Sequence, residues 1–550
     1  MTATTSIALR YMVQPDSLKT ESFQHWSGGR GVDVWAMIYA AATGDLDTIK
    51  TLVAREPALV SCQMEYFKPL RFAVRENQRA VVDYLLEQGA DPADSAGETL
   101  VTIARDRGYQ DLAAHLGSLL ESRYHIVPAG ETIAAAIKAF EGAQVRALLQ
   151  KQPELLHAAD GAGNQPIHWA ALTRQIDIAD YLLECGADIN ARRPDGARPI
   201  DLTYGDYHYR SWYRDLPPNG LRKHELMVGW LVARGAYCDI SIAAKMGWHH
   251  RVRELLDEDP SLANRLPPYD GYYSGLPLRC AASTGHLEVV RLLLQRGANP
   301  NEPEPGIAPM GGSLHAAIGG KHYETAKLLL EHGANPNAPV ESSGNCMLMA
   351  KHVGAPREFI SLLASYGGVL GAELACYDGN AEILAAMLHA NQQLDIDAGI
   401  GPLIGEGHRQ CLELVLRHQP DILKRQGIRG NAWWDSGMPK NTADAQWLIE
   451  HGLDINSGNW LGITLLHRCA GTVNTEMATV CLANGADINA LEALYSSTPL
   501  GWAAREGKKE MVEWLLDKGA NPRLPEEEPW AQPLAWAQRR GHHEIVALLQ

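Results

Sequence analysis

Apolar and polar positions recur in one fixed order along most of this chain. A short segment with two adjacent alanines is followed by a polar turn and then by a longer segment with apolar residues at helical spacing, such as EVVRLLLQ from Glu288. Both segments are typical of helices, and the second has a single apolar face. Each unit therefore predicts a pair of short helices joined by a turn.

The units can be superimposed on one another. GNQPIHWAALTRQIDIADYLLECGADIN from Gly163, SGLPLRCAASTGHLEVVRLLLQRGANPN from Ser274 and SSTPLGWAAREGKKEMVEWLLDKGANPR from Ser496 share one pattern. The closing glycine recurs every 33 to 36 residues, as at Gly297, Gly333 and Gly367. Other units close with proline instead, at Pro57, Pro153, Pro260 and Pro420, and proline also ends a helix.

This pattern resembles the ankyrin repeat, which begins with Thr-Pro-Leu-His and has a period of about 33 residues. Counted with both endings, about sixteen units run from residue 32 to 550. The resemblance implies an all-α solenoid of stacked antiparallel helix pairs with hairpin-like finger loops, in which the first helices and fingers line a concave side. Residues 1–31 precede the array and are expected to cap it.

Two departures interrupt the regularity. About 16 residues, GDYHYRSWYRDLPPNG at about 205–220, are inserted between the two helices of one unit. In a second region, at about 367–452, several units lack the Thr-Pro-Leu-His start. The sequence leaves open whether this degenerate region divides the array into two rigid blocks.

The charge and hydropathy of the chain restrict which classes of partner it can bind. The chain carries 49 Lys and Arg against 65 Asp and Glu, a net charge of −16, and has no basic cluster, which argues against nucleic acid. It has no apolar run long enough for a membrane span and no signal peptide, so no membrane association and a cytoplasmic location are expected. The nine cysteines, spaced without a zinc pattern, predict reduced buried thiols.

No known catalytic signature occurs, and neither a cofactor nor a metal site is predicted. His168, His315 and His467 occupy the fourth position of the Thr-Pro-Leu-His element, and the resemblance implies that they bond to backbone. The next position holds aromatic residues, for which core packing is favoured over a ligand-binding row. These are Tyr39, Phe72, Trp169, Trp502 and Trp536.

The insertion is too rich in aromatic residues for an ordinary solvated loop, and it is either a flap on the solenoid edge or a lid over a pocket. Three nearby finger loops carry similar chemistry, suited to a cationic side chain, an ammonium ligand or a sugar. The candidate binding residues are Tyr204, Tyr207, Tyr209, Arg210, Trp212, Tyr213, Tyr269, Tyr272, Tyr273, Trp433, Trp434 and Asp435.

These features support three functions. The first is a scaffold that binds a protein partner on its concave groove and fingers. The alternative is an enzyme or small-molecule binder with an acidic, aromatic pocket under the insertion. If catalytic, it is a hydrolase whose candidate acid and base groups are Asp206, His208, Asp215 and Asp270. The third is a purely structural spacer, which would not need such an insertion.

Overall fold

The computed structural model describes residues 6–94, 98–204, 221, 223–267, 275–304, 307–340, 343–391, 394, 396–424 and 439–550. Within these residues the chain consists of α-helices packed in antiparallel pairs. Strands there are limited to one short hairpin, β1 (Phe23–Gln24) and β2 (Gly29–Arg30). The predicted all-α solenoid of stacked helix pairs is confirmed.

The first units extend to residue 124. Asp45 begins a second helix by accepting the N–H of Thr48 at 3.0 Å, and Pro69 begins a first helix, where its missing N–H costs nothing. The helices are α1 (Ile7–Tyr11), α2 (Gly31–Thr43), α3 (Leu46–Arg55), α4 (Pro69–Arg75), α5 (Arg79–Glu87), α6 (Leu100–Asp106) and α7 (Gln110–Tyr124).

The central units follow, and their first helices pack in sequence on one another. Val290 and Leu293 of a second helix are fully buried, and each such side chain contributes about 1.5–3 kcal/mol. The helices are α8 (Pro128–Lys138), α9 (Gly142–Lys151), α10 (Pro166–Leu172), α11 (Ile176–Glu184), α12 (His224–Ala233), α13 (Ile240–Lys245), α14 (His249–Glu258), α15 (Pro277–Ser283), α16 (Leu287–Gln295), α17 (Ser313–Gly319), α18 (Tyr323–Glu331), α19 (Cys346–His352) and α20 (Arg357–Ser365).

The last units begin with the degenerate region. Their helices are α21 (Ala372–Tyr377), α22 (Ala381–Ala390), α23 (Asp397–Gly405), α24 (Arg409–His418), α25 (Thr442–Glu450), α26 (Leu465–Thr472), α27 (Thr475–Ala483), α28 (Pro499–Arg505), α29 (Lys509–Asp517), α30 (Pro533–Arg540) and α31 (His543–Leu549).

Both predicted unit endings are confirmed. Gly297 and Gly333 adopt φ values of 87° and 83°, the left-handed conformation that glycine reaches without strain. In the other ending, the second helix stops at Arg55 or Glu258, and Pro57 or Pro260 starts a 3₁₀ turn. The proline therefore ends one helix and begins a tighter turn.

Asparagine side chains bind each unit to the next, and we call this series of paired bonds the asparagine ladder. The Nδ2 of Asn301 donates to the carbonyl of Gly333 at 2.8 Å, and its Oδ1 accepts the N–H of Asn335 at 2.7 Å. One amide thus satisfies both a carbonyl and an N–H of the following unit, which fixes how the two units stack. The same pair of bonds is made by Asn190, Asn264, Asn337 and Asn456.

A second repeated bond lies at the turn between the two helices. Gln175 donates from Nε2 to the carbonyl of Ile137 at 2.7 Å, and His286 bonds through Nε2 to the carbonyl of Lys245 at 3.0 Å. Each bond joins this turn to the end of the preceding unit's first helix. Equivalent bonds are made by Gln78, His408 and His542.

The stacking is not continuous over the whole array. One apolar core extends from Ile133 to Leu363, whereas a second contains residues of both chain ends, from Ala8 to Leu120 and from Ala372 to Ile545. The interruption at residues 364–371 falls where the degenerate region starts, and the interruption after Leu120 has no counterpart in the sequence pattern. The chain therefore turns back until its first and last units meet.

We expect Asn301→Ala to lower the free energy of unfolding by about 1–3 kcal/mol, because it leaves a carbonyl and an N–H of the next unit without their partner. Asn489→Ala is the matched control, since among the described residues the side chain of Asn489 makes one such bond, from the N–H of Asn521. Urea denaturation should place Asn301→Ala below Asn489→Ala in stability; equal midpoints would contradict the role of the two-bond ladder.

Candidate binding surfaces

The three histidines of the Thr-Pro-Leu-His element bond to backbone, as predicted. His168 accepts the N–H of Gln165 at Nδ1 and bonds through Nε2 to the carbonyl of Ala191 at 3.1 Å. His467 bonds at Nδ1 with Thr464 and through Nε2 with the carbonyl of Ser497. His315 bonds to the carbonyl of Ser343. Burial lowers the pKa of His168 to about 3 and those of His315 and His467 to about 4, so all three are neutral at pH 7.

Core packing is also confirmed for four of the five aromatic residues at the next position. Phe72, Trp169, Trp502 and Trp536 are buried, and only Tyr39, which is 44% exposed, departs from the prediction. The reason is local. The indole N–H of Trp169 donates to Asp160 in the finger before its helix, and Trp502 donates to Glu492 in the same way. Tyr39 belongs to the first unit, which the β1–β2 hairpin precedes instead of such a finger.

The candidate residues of the insertion and of the fingers lie outside the described residues, with one exception. They are Asp206, Tyr207, His208, Tyr209, Arg210, Trp212, Tyr213, Asp215, Tyr269, Asp270, Tyr272, Tyr273, Trp433, Trp434 and Asp435. The exception is Tyr204, whose backbone ends a 3₁₀ helix, Pro199–Tyr204. The expected pocket under the insertion therefore stays a prediction.

Arg174 fixes the two points between which the insertion leaves and rejoins the repeat. Its Nε donates to the carbonyl of Thr203 at 3.1 Å and its Nη1 to the carbonyl of Leu221 at 3.2 Å. The side chain is 6% exposed, so these bonds form in a poorly hydrated place. One guanidinium therefore bonds to the backbone on both sides of residues 205–220.

Several basic groups lie near Arg174, at the place that we call the root of the insertion. Burial lowers the pKa of His224 to about 4, and the charges of Lys245 and Arg174 act in the same direction. Burial also lowers the pKa of the half-exposed Lys245 to about 8, helped by Arg279. A neutral imidazole beside a partly neutral amine can take part in proton transfer or attack a carbonyl carbon.

Most central first helices leave their last residues accessible, although Leu172 at the end of α10 is buried. Ser283 and Lys245 are half-exposed, and Gly319 and His352 are exposed. From Lys245 to His352 these positions follow one another from unit to unit, and together with Lys138, from which two units separate them, they form the set that we call the central row. It comprises Lys138, Lys245, Ser283, Gly319 and His352.

In some end units the same helix position is covered by the opposite end of the chain. Arg75, the last residue of α4, is 3% exposed and donates to the carbonyl of Ala493 at 3.1 Å. Arg107, just after α6, donates to the carbonyl of Leu494 at 2.8 Å. The accepting loop is held by the buried Glu492, whose carboxylate accepts backbone N–H groups of its own finger.

Ion pairs and aromatic rings complete this contact. Glu98 pairs with Arg505 and, at 2.8 Å, with Arg540, which also reaches Asp106 at 2.7 Å. The guanidinium of Arg107 lies 4.6 Å from the ring centroid of Trp530, within the range of a cation–π interaction. We call this set of contacts between residues 6–109 and 460–540 the end clasp.

Burial perturbs the charged groups of the end clasp. It raises the pKa of Asp106 despite the opposing charges of Arg540 and Arg539, and it lowers the pKa of both Arg71 and Arg539 to about 10. These shifts mean that each of the three charges loses more by burial than the opposite charges around it restore.

A cleft of about 730 Å³ lies beside the end clasp, between residues 10–19 and the fingers at 456–464 and 487–491. Its polar side chains already bond to neighbouring protein groups: Arg10 pairs with Glu527, and both ends of the Asn456 amide are used in the ladder. In the described part of the chain no cluster of His, Cys, Asp and Glu is arranged to hold a metal ion. No described helix is long and apolar enough to span a bilayer.

Family comparisons agree with this architecture. A model of the ankyrin repeat matches residues 162–194, 276–304 and 313–340, and a model of three ankyrin repeats matches residues 438–526. The chain contains ankyrin repeats in these ranges. Ankyrin repeats support a role in protein interaction, and the count of about sixteen stays a prediction because the matches cover part of the array.

Curated proteins that this ankyrin-repeat protein resembles differ widely in their overall nature. Alpha-latrocrustotoxin-Lt1a of Latrodectus tredecimguttatus is 25% identical over 159 residues, 28% of this chain and 9% of the toxin. Palmitoyltransferase Hip14 of Drosophila melanogaster is 35% identical, and palmitoyltransferase ZDHHC13 of Mus musculus 37%, over 81 residues each, 15% of this chain and 13% of the relative. The chain thus spans about a tenth of the length of these relatives.

Sequence reasoning missed the residues of the end clasp in this ankyrin-repeat protein. Arg75 and Arg505 are each the last residue of an alanine-containing first helix, which is a visible signal. The signal does not reveal the partners, because Arg75 and Ala493 are 418 residues apart. The repeat pattern predicts contacts only between neighbouring units.

The buried histidines should make this ankyrin-repeat protein sensitive to acid. An unfolded histidine has a pKa near 6.5 and that of folded His467 is about 4, so its stabilising effect is complete above pH 6.5 and is lost as the pH falls toward 4. Between pH 7 and 5 one such histidine costs about 2 kcal/mol of unfolding free energy. The urea midpoints at pH 7 and pH 5 should therefore differ less in His467→Gln than in the unaltered protein. The same difference in both proteins would show that His467 does not cause the acid sensitivity.

Proposed function

We propose that this ankyrin-repeat protein binds a protein partner along the central row and the fingers beside it. The observation that carries the proposal is the contrast between two sets of first helices. At α4 and α6 the last residues, Arg75 and Asp106, are buried by the other end of the chain, whereas the central row is open or half-open.

The central row also has the rigidity that a binding surface requires. Its first helices pack on one another over a continuous core, and the asparagine ladder through Asn264, Asn301 and Asn337 fixes the spacing of the units. A surface that is already ordered loses little conformational entropy when a partner binds to several units at once. The fingers next to the row, stiffened by bridges such as Glu304 with Ala308, extend the surface.

The chain enters and leaves the insertion at 205–220 near this surface, since Arg174 bonds to Thr203 and Leu221 on either side of it. We infer that its aromatic residues contribute to partner binding, because tyrosine and tryptophan supply much of the energy in protein interfaces. The candidates are Tyr207, Tyr209, Arg210, Trp212 and Tyr213, with Tyr204 at the root.

Photo-crosslinking tests the partner proposal. A photoreactive residue at Ser283 or His352, both in the central row, should capture the same partner protein in cells. The matched control places it at Glu331, an exposed residue that ends a second helix. Capture of the same species from Glu331, or capture from neither central position, would contradict the proposal, and deletion of 205–220 should weaken the crosslink.

A second candidate function, binding or conversion of a small molecule, is favoured by the group at the root of the insertion. His224, near Arg174 and Lys245, and Lys245, near Arg279, both have lowered pKa values, and clusters of perturbed groups occur at catalytic sites. Asp206, His208, Asp215 and Asp270 remain the proposed acid and base groups of a hydrolase there. Two inward-facing carboxylates under the insertion are what this candidate needs.

The reactivity of the Lys245 amine can be measured directly and tests this second candidate function. With a pKa of about 8, roughly a quarter of its amines are neutral at pH 7.5, against about 0.1% for a lysine of ordinary pKa near 10.4. Brief acetylation followed by mass spectrometry should therefore give a rate at Lys245 that levels off above pH 9. A rate that continues to rise steeply beyond pH 10, as expected of an ordinary exposed lysine, would exclude a reactive amine.

A further inference from the structure

The contact between the chain ends differs in kind from the contacts inside each set of units. Neighbouring first helices such as α4 and α6 pack along their lengths, whereas no described helix of the first units packs extensively on α28 or α30. Long side chains span the space between them: Arg75 and Arg107 reach backbone carbonyls, and Arg505 and Arg540 reach carboxylates. Such a contact can separate without disrupting the helices that carry it.

The apolar contact across the end clasp includes one aromatic cluster, which belongs to the core that the two chain ends share. The ring of Trp460 lies 6.1 Å from that of Phe67 and 5.8 Å from that of Phe72, and its indole N–H donates to Glu65 at 2.8 Å. Elsewhere the clasp consists of ion pairs, of arginine bonds to backbone carbonyls and of the contact between Arg107 and the ring of Trp530. Since a buried pair gains little over its hydrated ions, the net stability of the closed contact is small compared with that of a helix-packing interface.

Backbone bonds of the N-terminal segment also cross the clasp. The N–H of Val13 donates to the carbonyl of Trp460 at 2.9 Å, and the N–H of Ile7 donates to Glu528 at 2.8 Å. Both amides lose these acceptors if the ends separate. They are therefore natural reporters of opening.

We propose that the end clasp is a reversible, charge-held closure that covers the ends of α4, α6 and α28, so that the array alternates between a closed form and an open form with its helix pairs intact. Opening adds the faces around Glu98, Asp106 and Arg505 to the accessible first-helix surface. A partner that presents its own arginines to Glu98 and Asp106 competes with Arg505 and Arg540 and stabilises the open form. The inference does not depend on a partner for the central row.

The test uses the full chain with Arg505→Ala and Arg540→Ala combined, which leaves Glu98 and Asp106 without the two main partners from the other end. X-ray scattering should show a larger radius of gyration, and hydrogen exchange at Ile7 and Val13 should accelerate at least tenfold. Exchange in α15 and α16, and the helical circular dichroism signal, should stay unchanged. Arg251→Ala, which removes an exposed pair with Glu254 far from the clasp, is the matched control.

Two outcomes would overturn the proposal. If the double variant keeps the radius of gyration and the exchange rates of the unaltered protein, the charges do not hold the closure. If its helical signal falls together with the opening, the contact belongs to the folded core and is no reversible clasp. Arg540→Lys provides an independent check, because it keeps the positive charge and should remain closed.

Discussion

A pair of short helices has too little apolar surface to fold alone, and every other property of this protein follows from that constraint. Each unit buries its core only against its neighbours, so the neighbours must be held at one spacing. The side-chain amides of Asn264, Asn301 and Asn337 do this by bonding to both a carbonyl and an N–H of the next unit. Apolar burial supplies the free energy, and these amides select the geometry.

The sequence was sufficient wherever a residue's partner lies within the neighbouring unit. Glycine and proline endings, the histidines of the Thr-Pro-Leu-His element and the buried tryptophans recur at fixed offsets, so one unit predicts the rest. Tyr39 departs from the pattern because the first unit has no preceding finger like those that hold Trp169 and Trp502. A prediction taken from the other units therefore fails for the first unit, which has no unit before it.

The meeting of the two ends could not be predicted in this way. Glu98 and Arg540 are 442 residues apart, and periodicity contains no information on how far a long array curves. The candidate residues of the insertion are a different case: their clustering was visible in the sequence, and Arg174 shows where the segment is rooted, whereas their side chains lie outside the described residues. The proposed site is therefore described through the residues at its base and through the row of helix ends beside it.

The joined ends change how this array responds to damage. In a linear array the terminal units have a neighbour on one side only and fray first. Here the last units shield the first ones, and the reverse also holds. A lesion near residue 540 is therefore felt near residue 98, while the interruption at residues 364–371 separates the central units from it. Thermal fraying in this protein is shared between termini that are distant in sequence.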